Sequence, residues 1–121
     1  LASFQDECVA VVAAAVPDAD LRDPTTLTEE EENWYNPTVQ ACGNLGLFRA
    51  IATAAGVELT HDSFVAGADT LTDFSIPTAP NMSLGPDKIT AQDEVRLGEF
   101  DHTAGADGGL VPLTELIDVN P

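Results

Sequence analysis

The chain has 121 residues, with 4 Lys+Arg against 21 Asp+Glu and a formal net charge of −17. That length allows a single domain with a modest core, and an apolar fraction of 44% supplies the material for one. Arg22, Arg49, Lys88 and Arg96 are too few and too scattered to neutralise a phosphate backbone, which excludes nucleic acid and anionic membrane surfaces as partners. The acids are spread along the chain, as expected for solubility in a salty or secreted setting; the sharper alternative is an acidic decoy for a basic protein.

Residues 3–16 read as an amphipathic helix. Ser3 stands where a cap is wanted, Phe4, Cys8, Val11, Val12 and Ala15 recur on one face, and Pro17 ends the run. Residues 18–36 are acidic and turn-rich, and the glutamates that follow Thr28 suit the start of a short helical turn. Asn36-Pro37 predicts a helix start, with Asn as cap and Pro in the first helical position. This helix runs to about Ala55 and stops at Gly56. Val39, Cys42, Leu45, Leu47, Phe48 and Ile51, together with the alanines, occupy nearly every face, and Arg49 is the only charge. A helix apolar all round is expected to lie between layers.

Thr60 caps a third predicted helix, 61–71, with Phe64, Val65 and Ala68 inward and Asp62 in its first turn. Short strands follow. One is predicted at 74–76, halted by Pro77; another spans 94–101, carrying Val95, Leu97 and Phe100; a third at 110–113 returns from a glycine-rich turn at 103–109. Residues 81–87, with Gly85-Pro86-Asp87, read as a turn. The fold class is α/β, helices first and then a few short strands. So little sheet cannot cover the long helix, and 1–121 therefore reads as one partial domain.

Cys8 and Cys42 fit one disulfide in an oxidising compartment; two buried free thiols are the alternative. A bridge would staple the first helix to the long one, closing a loop of about 34 residues with about 3–4 kcal/mol of stabilisation. Leu1-Ala2-Ser3-Phe4 has neither the basic nor the apolar part of a leader peptide, so a secreted parent is expected to have lost its signal upstream.

Catalytic constellations are poorly supported, and the chain is not read as an enzyme; no cofactor is expected. His61 and His102 lie far apart and outside any metal or nucleophile motif. Ser63 and Ser83 lack the glycine-flanked elbow of a hydrolase nucleophile. Asp18, Asp20 and Glu29 are spaced like the first, third and last ligands of a calcium loop, but Arg22 and Asp23 stand where that loop needs an oxygen ligand and a glycine. No metal site is expected. Trp34 and Tyr35, the only Trp and Tyr, sit just before Asn36. Such a pair serves either as one wall of a small-molecule cleft or as an apolar clamp on the start of the helix.

The stretch 40–101 contains QACGNLGLFRAIATAAGVELTHDSFVAGADTL and then SLGPDKITAQDEVRLGEFD. It resembles the C-terminal part of solute-binding proteins of ABC importers, in the branched-chain amino-acid (Leu/Ile/Val) binding family. Asp6-Glu7-Cys8, with Ala41-Cys42, is similar to secreted members from high-GC Gram-positive bacteria. The resemblance implies part of a fold with two α/β lobes joined by a hinge, which traps a small polar solute and hands it to a membrane permease. It implies that the helices come mostly from one lobe, that the strands near 95–113 cross to the other, and that the sheet covering the long helix lies upstream. It also places a ligand wall near Trp34, Tyr35 or Asn36, while the family's main contacts to the amino acid come from upstream segments. The implied setting is extracellular or periplasmic, with an N-terminal membrane anchor on the parent protein. The rival expectation is a self-contained acidic domain that binds a protein partner; a hydrolase ranks last. A chain with an uncovered helix is also expected to expose an apolar patch, a basis for a homodimer.

Overall fold

The computed structural model describes residues 2–28, 30–88, 90–105 and 108–120. Helices come first: α1 (Ala2–Phe4) and α2 (Ala10–Ala15) are joined by a π-helical turn at Gln5–Val9 into one continuous helical stretch. Ser3 lies inside this stretch and does not cap it. In the π turn the Ala10 N–H reaches back to the Gln5 carbonyl. The wider turn shifts the angular register of everything after it. Phe4 and Cys8 are buried, but Val11, expected on their face, is 59% exposed.

A loop with a short 3-10 turn (Pro24–Thr26) leads to α3 (Tyr35–Ala55). The helix begins before the predicted Asn36 cap, because Asn33 supplies the cap instead: its Oδ1 accepts from the Asn36 N–H at 3.1 Å. Thr38 donates its backbone N–H and its hydroxyl to the Trp34 carbonyl, at 3.2 Å and 2.8 Å. Pro37 falls in this first turn, where its missing N–H leaves no bond unmade. The helix stops as expected at Gly56, whose φ of 86° is the left-handed geometry that favours glycine.

Helix α4 (His61–Asp69) starts with the predicted Thr60 cap, elaborated into a capping box. Thr60 Oγ1 accepts from the Ser63 N–H at 3.1 Å, and Ser63 Oγ accepts from the Thr60 N–H at 2.9 Å. The helix folds back on α3 through Gly67, and the Phe48 and Phe64 rings stack at 5.6 Å.

Among the described residues, three separate two-stranded antiparallel ribbons follow. Strand β1 (Phe74–Ile76) pairs with β2 (Ala79–Met82), with a register irregularity between Phe74 and Ile76. Sequence reasoning placed a turn from 81 onward, and β2 corrects it. The ribbon seats Ile76 and Met82 in the small core, where Gly46 of α3 lets Ile76 and Pro77 approach closely. The last two ribbons are nested: β3 (Glu94–Val95) pairs with β6 (Ile117–Asp118), and between them β4 (Gly98–Asp101) pairs with β5 (Gly109–Pro112). The single strand predicted over 94–101 is therefore broken at Arg96-Leu97. There Leu97 donates its N–H to Thr114 Oγ1 at 3.2 Å, so a side chain takes the place of a ladder partner.

The outcome is a mixed α/β chain, helices first and short strands after. Its buried apolar residues are Phe4, Cys8, Ile51, Ile76 and Met82. The expectation that α3 is buried on every face is corrected. One side meets α4 and β1, while Leu45 is 68% and Phe48 51% exposed, because the ribbons are too small to reach around the helix. Among the described residues no helix is long and apolar enough to cross a membrane.

Candidate functional site

The start of α3 is the first place to look, because the aromatic pair stands there. Tyr35 turns inward. Its ring meets Phe4 edge-on at 5.8 Å and 77°, and the two rings join Val39, Pro77 and Thr78 around a cleft of about 200 Å³. Trp34 turns the other way: its indole N–H donates to Glu32 Oε2 at 2.9 Å, and it does not line the cleft. Asn36 is exposed and contributes its backbone N–H to the Asn33 cap. Of the three candidate wall residues, then, Tyr35 is the one that lines this cleft, where it also clamps α1 to α3.

Cys8 and Cys42 form a disulfide, with their Cα atoms 6.0 Å apart. The bridge ties the π turn to the middle of α3. Beside it Arg49 Nη2 donates to Glu7 Oε2 at 3.0 Å, so the one charge on α3 reinforces the same junction. A shallow cleft of about 140 Å³ lies against the bridge, lined in part by Glu7, Leu45 and Arg49.

The residues weighed for catalysis stay apart. His61 is exposed at the start of α4, 3.5 Å from Asp62, and His102 is exposed in the hairpin turn. Ser63 is committed to the capping box and to the Glu58 carbonyl at 2.7 Å. Asp20 accepts from Arg22 Nε at 2.9 Å and from Nη2 at 2.6 Å, which keeps its carboxyl below the usual range; Glu29, its supposed calcium partner, lies outside the described residues. Arg22 also donates to Glu31 Oε1 at 2.6 Å, closing the acidic loop on itself. No cluster of three or more His, Cys, Asp or Glu able to hold a metal exists among the described residues.

The most developed polar cluster was not legible in the sequence. The Lys88 ammonium donates to Asp93 Oδ1, to Ser83 Oγ at 2.5 Å and to Asn120 Oδ1 at 2.9 Å. Ser83 and Asp93 are buried. A serine beside a lysine suggests a nucleophile and its base, but here the ammonium is ion-paired and cannot take a proton. The cluster is a lock around the chain's only lysine, joining Ser83 and Asp93, each five residues from it, to Asn120, 32 residues away. A signal was available: with so few cations, each was bound to be claimed by a carboxylate.

Asp93 is held below the ordinary carboxylate range, first by the Lys88 hydrogen bond and further by Ser83, against an opposing effect of burial. A depressed folded-state pKa stabilises fully above the unfolded value of about 3.9 and is lost as pH falls through the folded value. Asp93→Asn is therefore expected to lower the thermal unfolding midpoint by several degrees at neutral pH. The gap to wild type should close as the pH drops below about 4. Melting curves of both proteins across that range check this; a constant gap would mean that the amide change acts by something other than charge.

No protein-family model, no curated protein and no solved structure matches this chain.

Proposed function

We propose that this chain is part of the extracellular solute-binding component of an ABC importer, supplying α3 and the helical stretch stapled to it to one of two lobes that close on a small polar solute such as an amino acid. The observation that carries the reading is α3. It is a 21-residue helix with apolar residues on nearly every side, yet Leu45 is 68% exposed, and Phe48, though packed on Phe64, is 51% exposed. A helix so composed fits the layer between a sheet and further helices, which is where the resemblance over 40–101 puts it. The disulfide supports an oxidising, extracellular setting. In this reading Tyr35, in its cleft with Phe4, is the ligand-wall residue, and a permease is the partner that receives the solute.

The test is calorimetric titration of the secreted gene product that carries this chain, against the free amino acids one at a time. Saturable binding of one or a few of them is expected, weakened about tenfold or more by Tyr35→Ala, since an aromatic anchor closed over by its ligand carries a large share of such affinity. Absence of heat with every amino acid and with small polar solutes of similar size would remove the reading.

One observation favours the acidic interaction domain as a second reading. The β4–β5 ribbon exposes the cross-strand pair Phe100 and Leu110, with the acids Glu99 and Asp101 on either side of Phe100 along β4. A basic partner would then bind with steep salt dependence.

A further inference from the structure

The β4–β5 ribbon is a two-stranded sheet, so each of its strands has an outer edge. Leu113 donates its N–H to the Leu97 carbonyl at 2.9 Å, in register with the Gly98–Pro112 pair. Bonds between antiparallel strands fall at every second pair, so Glu99–Val111 and Asp101–Gly109 carry the others. The backbone groups of Gly98, Phe100, Leu110 and Pro112 therefore point away from the ribbon. On the β5 edge Pro112 has no N–H, and a strand laid there would lack a ladder bond. On the β4 edge Gly98 and Phe100 each present an N–H and a carbonyl. Among the described residues nothing pairs with these groups, and both residues are exposed. An open edge of this kind is a template for another strand.

The side chains beside that edge divide by face. Alternation puts Phe100, Leu110 and Pro112 on one face and Glu99 with Asp101 on the other. On the first face the absent side chain of Gly98 leaves a gap. A cleft of about 430 Å³ lies there, its lining including Leu97, Gly98, Leu110, Pro112 and Arg96. Over residues 94–118, Glu94, Glu99, Asp101, Asp107, Glu115 and Asp118 stand against Arg96 as the one Lys or Arg.

We propose that the β4 edge takes an extended segment of a basic protein as a third, antiparallel strand, one in which Lys or Arg alternates with apolar residues. This rests on the second reading above and supplies its mode of contact, which is strand addition. Residues of the segment opposite Gly98 and Phe100 exchange backbone bonds with them. Their side chains fall on the apolar face, one of them over the gap at Gly98. Residues opposite Glu99 and Asp101 stand in the non-hydrogen-bonded pairs, where side chains come closest, so a cation there meets a carboxylate. A second copy of this chain is a poor occupant. In the two antiparallel registers that overlap β4 most, Glu99 comes opposite Glu99 or Asp101 of the copy, and each chain carries a net charge of −17.

The experiment is an amide chemical-shift titration of this chain with a short peptide alternating Lys and Val, blocked at both ends. Two further forms are N-methylated, one at every Val and one at every Lys. Saturable shifts centred on the Gly98 and Phe100 amides are expected with the unmodified peptide. The Val-methylated form should bind about tenfold or more weakly, because the Val N–H groups face β4 and supply the ladder bonds. The Lys-methylated form, whose methyl groups point away, should keep its affinity within a few-fold. Glu99→Gln should weaken binding a few-fold and reduce its salt dependence. Glu99 is exposed, so this variant should keep the fold. Equal retention or equal loss in the two methylated forms, shifts centred on β5, or unchanged affinity in Glu99→Gln overturns strand addition at this edge, while salt-dependent binding of the peptide would still support an acidic domain with a basic partner. Failure of all three peptides to bind at low ionic strength overturns the proposal and that second reading together.

Discussion

Reducing the Cys8–Cys42 bridge is expected to destabilise the chain by about 3–4 kcal/mol, the loop-closure entropy released when a cross-link of this span is opened in the unfolded state. The sequence separation of 34 residues sets that magnitude. For a domain of this size it corresponds to a fall of about 10–20 °C in the unfolding midpoint. The effect is large because the rest of the fold offers little in its place. The buried apolar set is small, and the junction of the first helical stretch with α3 rests on Phe4, Cys8, the Phe4–Tyr35 contact and the exposed Glu7–Arg49 pair. An exposed ion pair is worth well under about 1 kcal/mol, so Arg49→Ala should change the midpoint far less than reduction does. Melting the same protein with and without reductant isolates the cross-link from any change of side-chain volume. A shift no larger than that of Arg49→Ala would mean that the helical stretch docks without its staple. Reduction should also free residues 2–15 before the rest, seen as early loss of amide protection there while α4 keeps its own.

The parts of this fold legible in the sequence are those written in local chemistry. Gly56 ends α3 and Thr60 starts α4, because a left-handed glycine and a hydroxyl cap act within a turn of where they stand. The β4–β5 hairpin is likewise local, with its glycines at the turn. What escaped is set by pairing and packing that no local signal announces. Strand β2 reads Ala-Pro-Asn-Met, and proline and asparagine are poor strand formers; it is extended because Met82 is buried and β1 lies alongside. Strand β6 is a two-residue pairing with β3 across the whole inner hairpin. The π turn moved Val11 off the predicted face, a change that hydrophobic periodicity assumes away.

The candidate sites divide the same way. Tyr35 drew attention as half of the chain's only Trp–Tyr pair and lines a cleft, whereas Trp34 next to it is turned to Glu32 and Asn36 gives its backbone N–H to the Asn33 cap. The Lys88 lock gathers Ser83 and Asp93, five residues to either side of it, and Asn120 from much further along the chain. No motif expresses that combination. The all-round apolar character of α3 was legible too, yet its meaning was not: within this chain it produces an exposed face rather than a buried helix.

Gly67→Ala is expected to destabilise the protein by about 1–3 kcal/mol, and Gly67→Val by more. Helix propensity alone predicts the opposite sign, since alanine in place of a mid-helix glycine gains up to about 1 kcal/mol. Packing decides between them. A Cβ built on Gly67 would stand 2.6 Å from the Ala55 nitrogen, 2.9 Å from the Ala55 Cα and 3.0 Å from the Ile51 carbonyl oxygen. All three are backbone atoms in the last turns of α3, so no rotamer change relieves the contact. The helices must move apart instead, and the connection through Gly56 to Thr60 is short. Separation would uncover Ile51, one of the few buried residues, and draw the Phe48 and Phe64 rings apart from their 5.6 Å contact. Ala66 supplies the contrast, being exposed on the same helix. Ala66→Gly should cost only the propensity term of about 1 kcal/mol, with no repacking. Thermal or urea unfolding of the wild type and the three variants reads both signs in one series. A stabilised Gly67→Ala protein would show that α4 stands further from α3 than this structure places it, and the close helix contact would have to be abandoned.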